Sequence, residues 1–159
     1  MKMVLHLWMI SIAVWTGGAA AAKDAELLDP EIAFRFSAQL VNPKTIEVRY
    51  AIANGYYLYR DKFHFQLTPG EGKPGSINYP EGKIKHDPLF GKVATYRKSV
   101  KFIIPIDAAP ADGRISLTAV SQGCADAGVC YTPMTSQIAF DIARLANDST
   151  KPISSLLKK

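Results

Sequence analysis

The chain has 159 residues, two cysteines, three histidines, and 19 Lys+Arg against 14 Asp+Glu. Its 48% apolar and 21% charged residues are an ordinary globular composition, which excludes disorder, and the length fits one domain. Two cysteines exclude a disulfide-dense miniprotein, and a net charge of +5 without a run of five like charges gives no case for nucleic acid as a partner.

Lys2 precedes an apolar run from Met3 to Trp15, followed by Thr16-Gly17-Gly18 and Ala19 to Ala22. A basic start, a short apolar core and small residues at an A-x-A-like site predict a secretory signal peptide over residues 1–22. The run is too short, and too interrupted by His6, for a membrane span of about 20 apolar residues. The expected domain is 23–146, exported to a compartment where its cysteines are oxidised. Ile32, Phe34 and Phe36 predict an opening strand. Ile46, Val48, Tyr50 and Ile52 alternate with Glu47, Arg49 and Ala51, the period of a half-buried strand, and Asn54-Gly55 follows as a tight turn. Phe63, Phe65 and Leu67 make the next stripe, and Ser76 to Tyr79 is strand-like. Further stripes are Val100, Phe102, Ile104, Ile106; then Ile115, Leu117, Ala119; then Ile138, Phe140, Ile142. A helical turn is expected around Asp141 to Ala146, and residues 147–159 lose the alternation and read as a tail or linker. Short strands separated by Pro/Gly turns predict an all-β sandwich or barrel, of which an immunoglobulin-like β-sandwich is the natural expectation. The likeness is architectural only, because both tryptophans, Trp8 and Trp15, fall in the signal and the cysteines are six residues apart.

Several motifs carry no chemistry. Gly70 to Gly75 matches G-x-G-x-x-G, but Pro74 and the strand-like residues after it do not supply the helix that a dinucleotide site needs. Asn147-Asp148-Ser149 fits a glycosylation acceptor in the tail. His64 sits in a strand stripe and His86 in a loop; with the cysteines they make no usual zinc spacing, so no metal and no cofactor are expected. Neither G-x-S-x-G nor H-E-x-x-H is present.

The informative stretch runs from Ser121 to Pro133, with Cys124 and Cys130 near the two arms of a hairpin-like loop at a sheet end. Gly123 and Gly128 are expected to supply unusual backbone angles. Facing residues on paired strands are close enough for a disulfide. A structural staple is one reading. Closing a seven-residue loop contributes only about 2.4 kcal/mol, against about 4.7 for a hundred-residue loop. A short-loop disulfide is instead easy to open without unfolding the sandwich. The loop offers Asp126 and no base, so it suits a disulfide attacked by another protein's thiolate.

The run Gln122-Gly123-Cys124-Ala125-Asp126-Ala127-Gly128-Val129-Cys130-Tyr131-x-Pro133 closely resembles the active-site segment of the N-terminal periplasmic domain of the thiol:disulfide interchange protein DsbD. Gly55 to Arg60 looks like that domain's tyrosine strand, and His86 to Lys92, with Tyr96-Arg97, like its cap-loop region. The resemblance implies periplasmic thiol–disulfide exchange, with Cys130 forming the intermolecular mixed disulfide and Cys124 resolving it. It assigns Tyr57 and Tyr59 to the site lining, Asp87 to the acid beside it, and Leu89 or Phe90 to the cap over the disulfide. Implied partners are thioredoxin-like proteins or domains: a donor fed through a membrane domain, and acceptors among disulfide isomerases and the thioredoxin-like proteins of cytochrome c maturation. Such proteins continue into a membrane domain and a thioredoxin-like domain, whereas this chain stops at Lys159. It is expected to be a fragment or a stand-alone version, touching a membrane only through its donor or through a missing membrane domain. Two rivals remain open: a non-catalytic exported sandwich with a structural disulfide, and a metal-handling module using Cys124, Cys130 and His86.

Overall fold

A computed structural model describes residues 26–68, 74–107 and 112–144. The expected signal, the tail with its Asn147 acceptor, and Gly70 to Lys73 lie outside the described residues. A short helix α1 (Pro30–Ala33) leads into ten strands: β1 (Phe34–Asn42), β2 (Thr45–Ile52), β3 (Tyr56–Tyr59), β4 (His64–Thr68), β5 (Lys83–Asp87), β6 (Gly91–Tyr96), β7 (Ser99–Pro105), β8 (Arg114–Ser121), β9 (Gly123–Ala125) and β10 (Met134–Asp141). They form three antiparallel sheets of order β1-β2-β7, β10-β8-β4 and β5-β6-β3-β9. The fold is the expected all-β sandwich. Among the described residues no helix is long and apolar enough to cross a membrane.

Alternation builds the two larger sheets. Ile46, Val48 and Tyr50 of β2 face Ile104, Phe102 and Val100 of β7 in register, all buried, while Arg49 and Lys101 between them are exposed. Across the core, Leu117 of β8 lies between Leu67 of β4 and Ile138 of β10. These side chains share one apolar cluster, into which Phe63, Phe65, Tyr79 and Tyr96 pack around Phe102. Burying side chains of this kind stabilises by about 1.5–3 kcal/mol each.

Three local expectations are corrected. Ile32 does not join the opening strand; it is half exposed in α1, because Pro30 presets the first helical turn and the Asp29 carbonyl accepts from the Ile32 and Ala33 amides. Ser76 to Tyr79 form no strand; a bridge from Pro74 to Ile106 and a bond from the Gly75 amide to Pro105 precede the segment, and Tyr79 ties it down by donating its hydroxyl to the Phe63 carbonyl. His86 lies in strand β5 opposite Lys92, not in a loop. The helical turn after β10 is present over the described residues 142–144.

Two of the crossings between sheets fix the place of β3 and β9 in the small four-stranded sheet. A 3-10 turn over Arg60–Lys62 carries the chain from β3 to β4. Gln122 carries it from β8 to β9, its carbonyl accepting from the Tyr59 amide. The small sheet is therefore tied to the sandwich on both sides of its central strand β3.

Candidate functional site

Strand β3 reads Tyr56-Tyr57-Leu58-Tyr59, and all four residues are buried. Successive side chains point to opposite faces. Tyr56 and Leu58 join the main core, with Tyr96 and Ala125. Tyr57 and Tyr59 form a separate cluster with Cys124, against which Val93 and Cys130 pack. The register explains it: Tyr57 faces Cys124 across β3–β9, and Leu58 faces Tyr96 across β3–β6. One strand thus has a structural face and a site face.

Cys124 and Cys130 are bonded to each other, with Cα atoms 3.9 Å apart across an isolated antiparallel bridge. Cys124 is fully buried and Cys130 is half-buried. The loop between them is closed by bonds from the Ala125 amide to Val129 and from the Gly128 amide to Ala125. Gly128 has φ +88°, as expected. Gly123 does not have a positive φ; what it supplies is space. A Cβ there would strike the Tyr57 carbonyl oxygen and lie 2.9 Å from Leu58 Cδ2 and Phe34 Cε1. Only glycine lets β9 approach β3 this closely.

Asp87 organises the rest with its two oxygens. Oδ2 accepts from the hydroxyls of Tyr59 at 2.7 Å and Tyr57 at 3.1 Å, with Lys85 Nζ at 3.8 Å. Oδ1 accepts from the amides of Leu89 at 2.9 Å and Phe90 at 3.2 Å, which shapes the turn between β5 and β6. The carboxylate is buried, and burial pushes its pKa up. The bonds from Tyr59, the two amides and Tyr57 outweigh that and hold it at about 2. Asp87 therefore sits there ionised. Tyr59 is pushed far above the ordinary tyrosine value, by burial first and then by its bond to Asp87. Its proton is committed to the carboxylate, while its oxygen lies 3.1 Å from Cys124 Sγ and 3.8 Å from Cys130 Sγ. When the disulfide is reduced, a Cys124 thiol can donate to that oxygen.

The segment expected to form the cap is the three-residue turn Pro88 to Phe90. Phe90 sets its ring edge-on against Tyr59, with centroids 5.2 Å apart, and Leu89 is 71% exposed. Of the two cap candidates, Phe90 is the one packed on the site.

Sequence reasoning gives no role here to four residues, one of which, Arg97, it names only within the cap-loop resemblance. The redox loop has no base of its own, but the fold brings Arg97 to it, in a bidentate pair with Asp126 at 2.6 and 2.9 Å. That pair lowers the Asp126 pKa and raises that of Arg97. Lys85 and Arg97 lie 4.9 and 5.0 Å from the Tyr57 ring centre, and Lys62 lies 4.6 Å from that of Phe90. Val93 packs beneath. None could be found from spacing, because sheet pairing brings them in from separate segments. Among the described residues no group of three or more His, Cys, Asp or Glu is placed to hold a metal ion.

A family model for the N-terminal region of the thiol:disulfide interchange protein DsbD matches residues 24–142. The chain belongs to this family. DsbD of Ralstonia nicotianae is 39% identical over 144 residues, spanning 90% of this chain and 23% of that protein. DsbD of Escherichia coli K12 is 31% identical over 150 residues, spanning 94% of this chain and 26% of that protein. The chain thus spans about a quarter of the length of these curated relatives. The solved DsbD N-terminal domain of Neisseria meningitidis, in its reduced form, superposes with a TM-score of 0.66 at 31% identity, covering 72% of this chain and 90% of that one. The structure of that organism's DsbD N-terminal domain in complex with a PilB N-terminal domain gives 0.61 at 32%, covering 72% and 87%.

Proposed function

We propose that this DsbD-type domain is a periplasmic thiol–disulfide exchange relay, exported by a cleaved signal peptide over residues 1–22, with residues 23–146 as the working domain. Cys124 and Cys130 are the catalytic pair; Tyr57, Tyr59 and Asp87 line the site and Phe90, more than Leu89, covers it. The observation that carries this reading is the unequal burial of the pair: Cys130 half-buried, Cys124 sealed against Tyr59. A partner's thiolate reaches the outer sulfur and not the inner one.

In the charging half, a reduced thioredoxin-like donor's thiolate attacks Cys130 Sγ. The Cys124–Cys130 bond breaks, the electron pair leaves on Cys124, and Cys124 takes up a proton. The donor's second thiol then gives up its proton, attacks its own bridged sulfur and releases Cys130, which takes up that proton. Two electrons and two protons have entered this domain, and the donor leaves as a disulfide. In the delivery half, the Cys130 thiolate attacks an acceptor's disulfide and Cys124 resolves the complex. The acceptors are oxidised thioredoxin-like proteins and disulfide isomerases, including those serving cytochrome c maturation. The PilB complex of the Neisseria domain supports such partners.

The test is a trap. Cys124→Ser mixed with an oxidised thioredoxin-like protein gives a covalent complex that a dithiol releases. Cys130→Ser gives none, because the remaining thiol is buried. Equal yields from the two variants, or no complex from either, overturn the reading.

A further inference from the structure

Cations stand over the aromatic rings of the site. Lys62 covers the Phe90 ring, and Lys85 and Arg97 cover that of Tyr57. The segment 83–98, which forms the cap hairpin and its exit, carries Lys83, Lys85, Lys92, Arg97 and Lys98 against Asp87 alone. Lys83, Lys92 and Lys98 are exposed, whereas Asp87 is buried under four hydrogen bonds and offers solvent almost nothing. Asp126, the carboxylate of the redox loop, is spent on Arg97. At the tip stand exposed apolar side chains: Leu89 at 71% exposure, Val129 at 44% and Phe90, one edge of which packs on Tyr59, at 42%. Beside them a cleft of about 180 Å³ is lined by Tyr59, Phe90, Val93 and Ala94, with Lys62 and Asp61 at its edge.

We propose that this positive rim selects the protein partner: the exchange partner presents acidic side chains around its reactive cysteine, with Lys62, Lys85 and Lys83, which shares the site face of the hairpin, meeting them. This rests on the exchange reading above and adds its charge rule. Complementary charge speeds encounter and suppresses wrong partners more than it tightens the final contact. The apolar tip makes the close contact, and the lysine rim steers the approach.

The experiment follows reduction of the Cys124–Cys130 disulfide by two reduced thioredoxins. One carries Asp or Glu beside its reactive cysteine, and the other has those residues changed to Lys. Each rate is divided by that for uncharged dithiothreitol on the same protein, so that any change in the disulfide itself cancels. The acidic thioredoxin is expected to be faster by about tenfold at low salt, with the advantage lost at about 0.5 M salt. Lys62→Glu, or Lys83→Glu on the exposed hairpin, reduces that preference, and the pair of changes moves it toward the Lys-bearing thioredoxin. Equal, salt-insensitive rates for the two thioredoxins overturn the charge rule and leave exchange standing. No reaction with either, while dithiothreitol reacts, overturns exchange and the charge rule together.

Discussion

Replacing Tyr59 by Phe removes one oxygen and tests the electrostatics of the whole site. The hydroxyl donates to the buried Asp87 carboxylate at 2.7 Å, the shortest bond that group receives. A hydrogen bond to a charged acceptor contributes about 1.5–3 kcal/mol, and a neutral one about 0.5–1.5. At pH 7 the oxidised Tyr59→Phe protein should therefore be less stable by about 1.5–3 kcal/mol. With a urea slope of about 2 kcal/mol/M, the midpoint falls by roughly 1 M. The pH dependence makes the test specific. Asp87 has its pKa lowered from 3.8 to about 2 in the folded protein. A depressed carboxyl stabilises fully above its unfolded value and loses that contribution as pH falls through its folded value. Between pH 4 and pH 2 the wild type loses this stabilisation. Tyr59→Phe, whose Asp87 titrates closer to 3.8, loses less. The gap between the two proteins should narrow toward about 0.5–1.5 kcal/mol as pH falls to 2, where half of Asp87 is protonated and Tyr59 increasingly faces a neutral acid. Urea melts across pH 2–7 measure it. A gap that stays constant over that range refutes the argument, because the hydroxyl would then not be acting through an ionised Asp87.

Gly123→Ala should cost about 3 kcal/mol or more, above the usual overpacking range of 1–3, because the added carbon meets the backbone of Tyr57 rather than a movable side chain; thermal melts read this directly. Phe90→Ala should raise the rate at which glutathione reduces the disulfide by several-fold, whereas Leu89→Ala should leave it near the wild-type rate, since only Phe90 packs on Tyr59; equal effects would remove Phe90 as the cover. Lys98→Gly should gain up to about 1 kcal/mol, because Lys98 holds φ +65°, a region costly for a side-chain-bearing residue; calorimetry of the oxidised protein would detect it.

The sandwich was legible wherever one strand face meets the core and the other meets water. Val100-Lys101-Phe102 of β7 is such a case: its period of two is visible because solvent rewards Lys101. The site was illegible by the same rule. Tyr56 to Tyr59 show no alternation, because β3 is covered on both faces and all four side chains are buried. The hairpin of β5 and β6 reads as loop because its site face carries Lys83, Lys85 and Asp87, groups chosen by the neighbourhood of Tyr57 rather than by a core. The cysteine run was recognisable only because its residues are local. Arg97 and Lys62, which the fold brings to the same place, leave no trace in spacing.

The position of the disulfide relative to the core argues for its proposed use. A bond that closes a seven-residue loop contributes only about 2.4 kcal/mol through chain entropy. The apolar cluster that holds the two large sheets together contains neither cysteine. Cys124 belongs to the smaller cluster on the far face of β3, with Tyr57 and Tyr59. Opening the bond therefore separates two sulfurs without parting any core side chains. The backbone around the loop is held independently, by the Arg97–Asp126 pair, by the Tyr131 amide on Gly123, and by the Tyr131 hydroxyl on the Leu28 carbonyl. A staple would be of most use where nothing else holds the chain. This bond lies where the chain is already held, which suits a pair of sulfurs meant to part and rejoin.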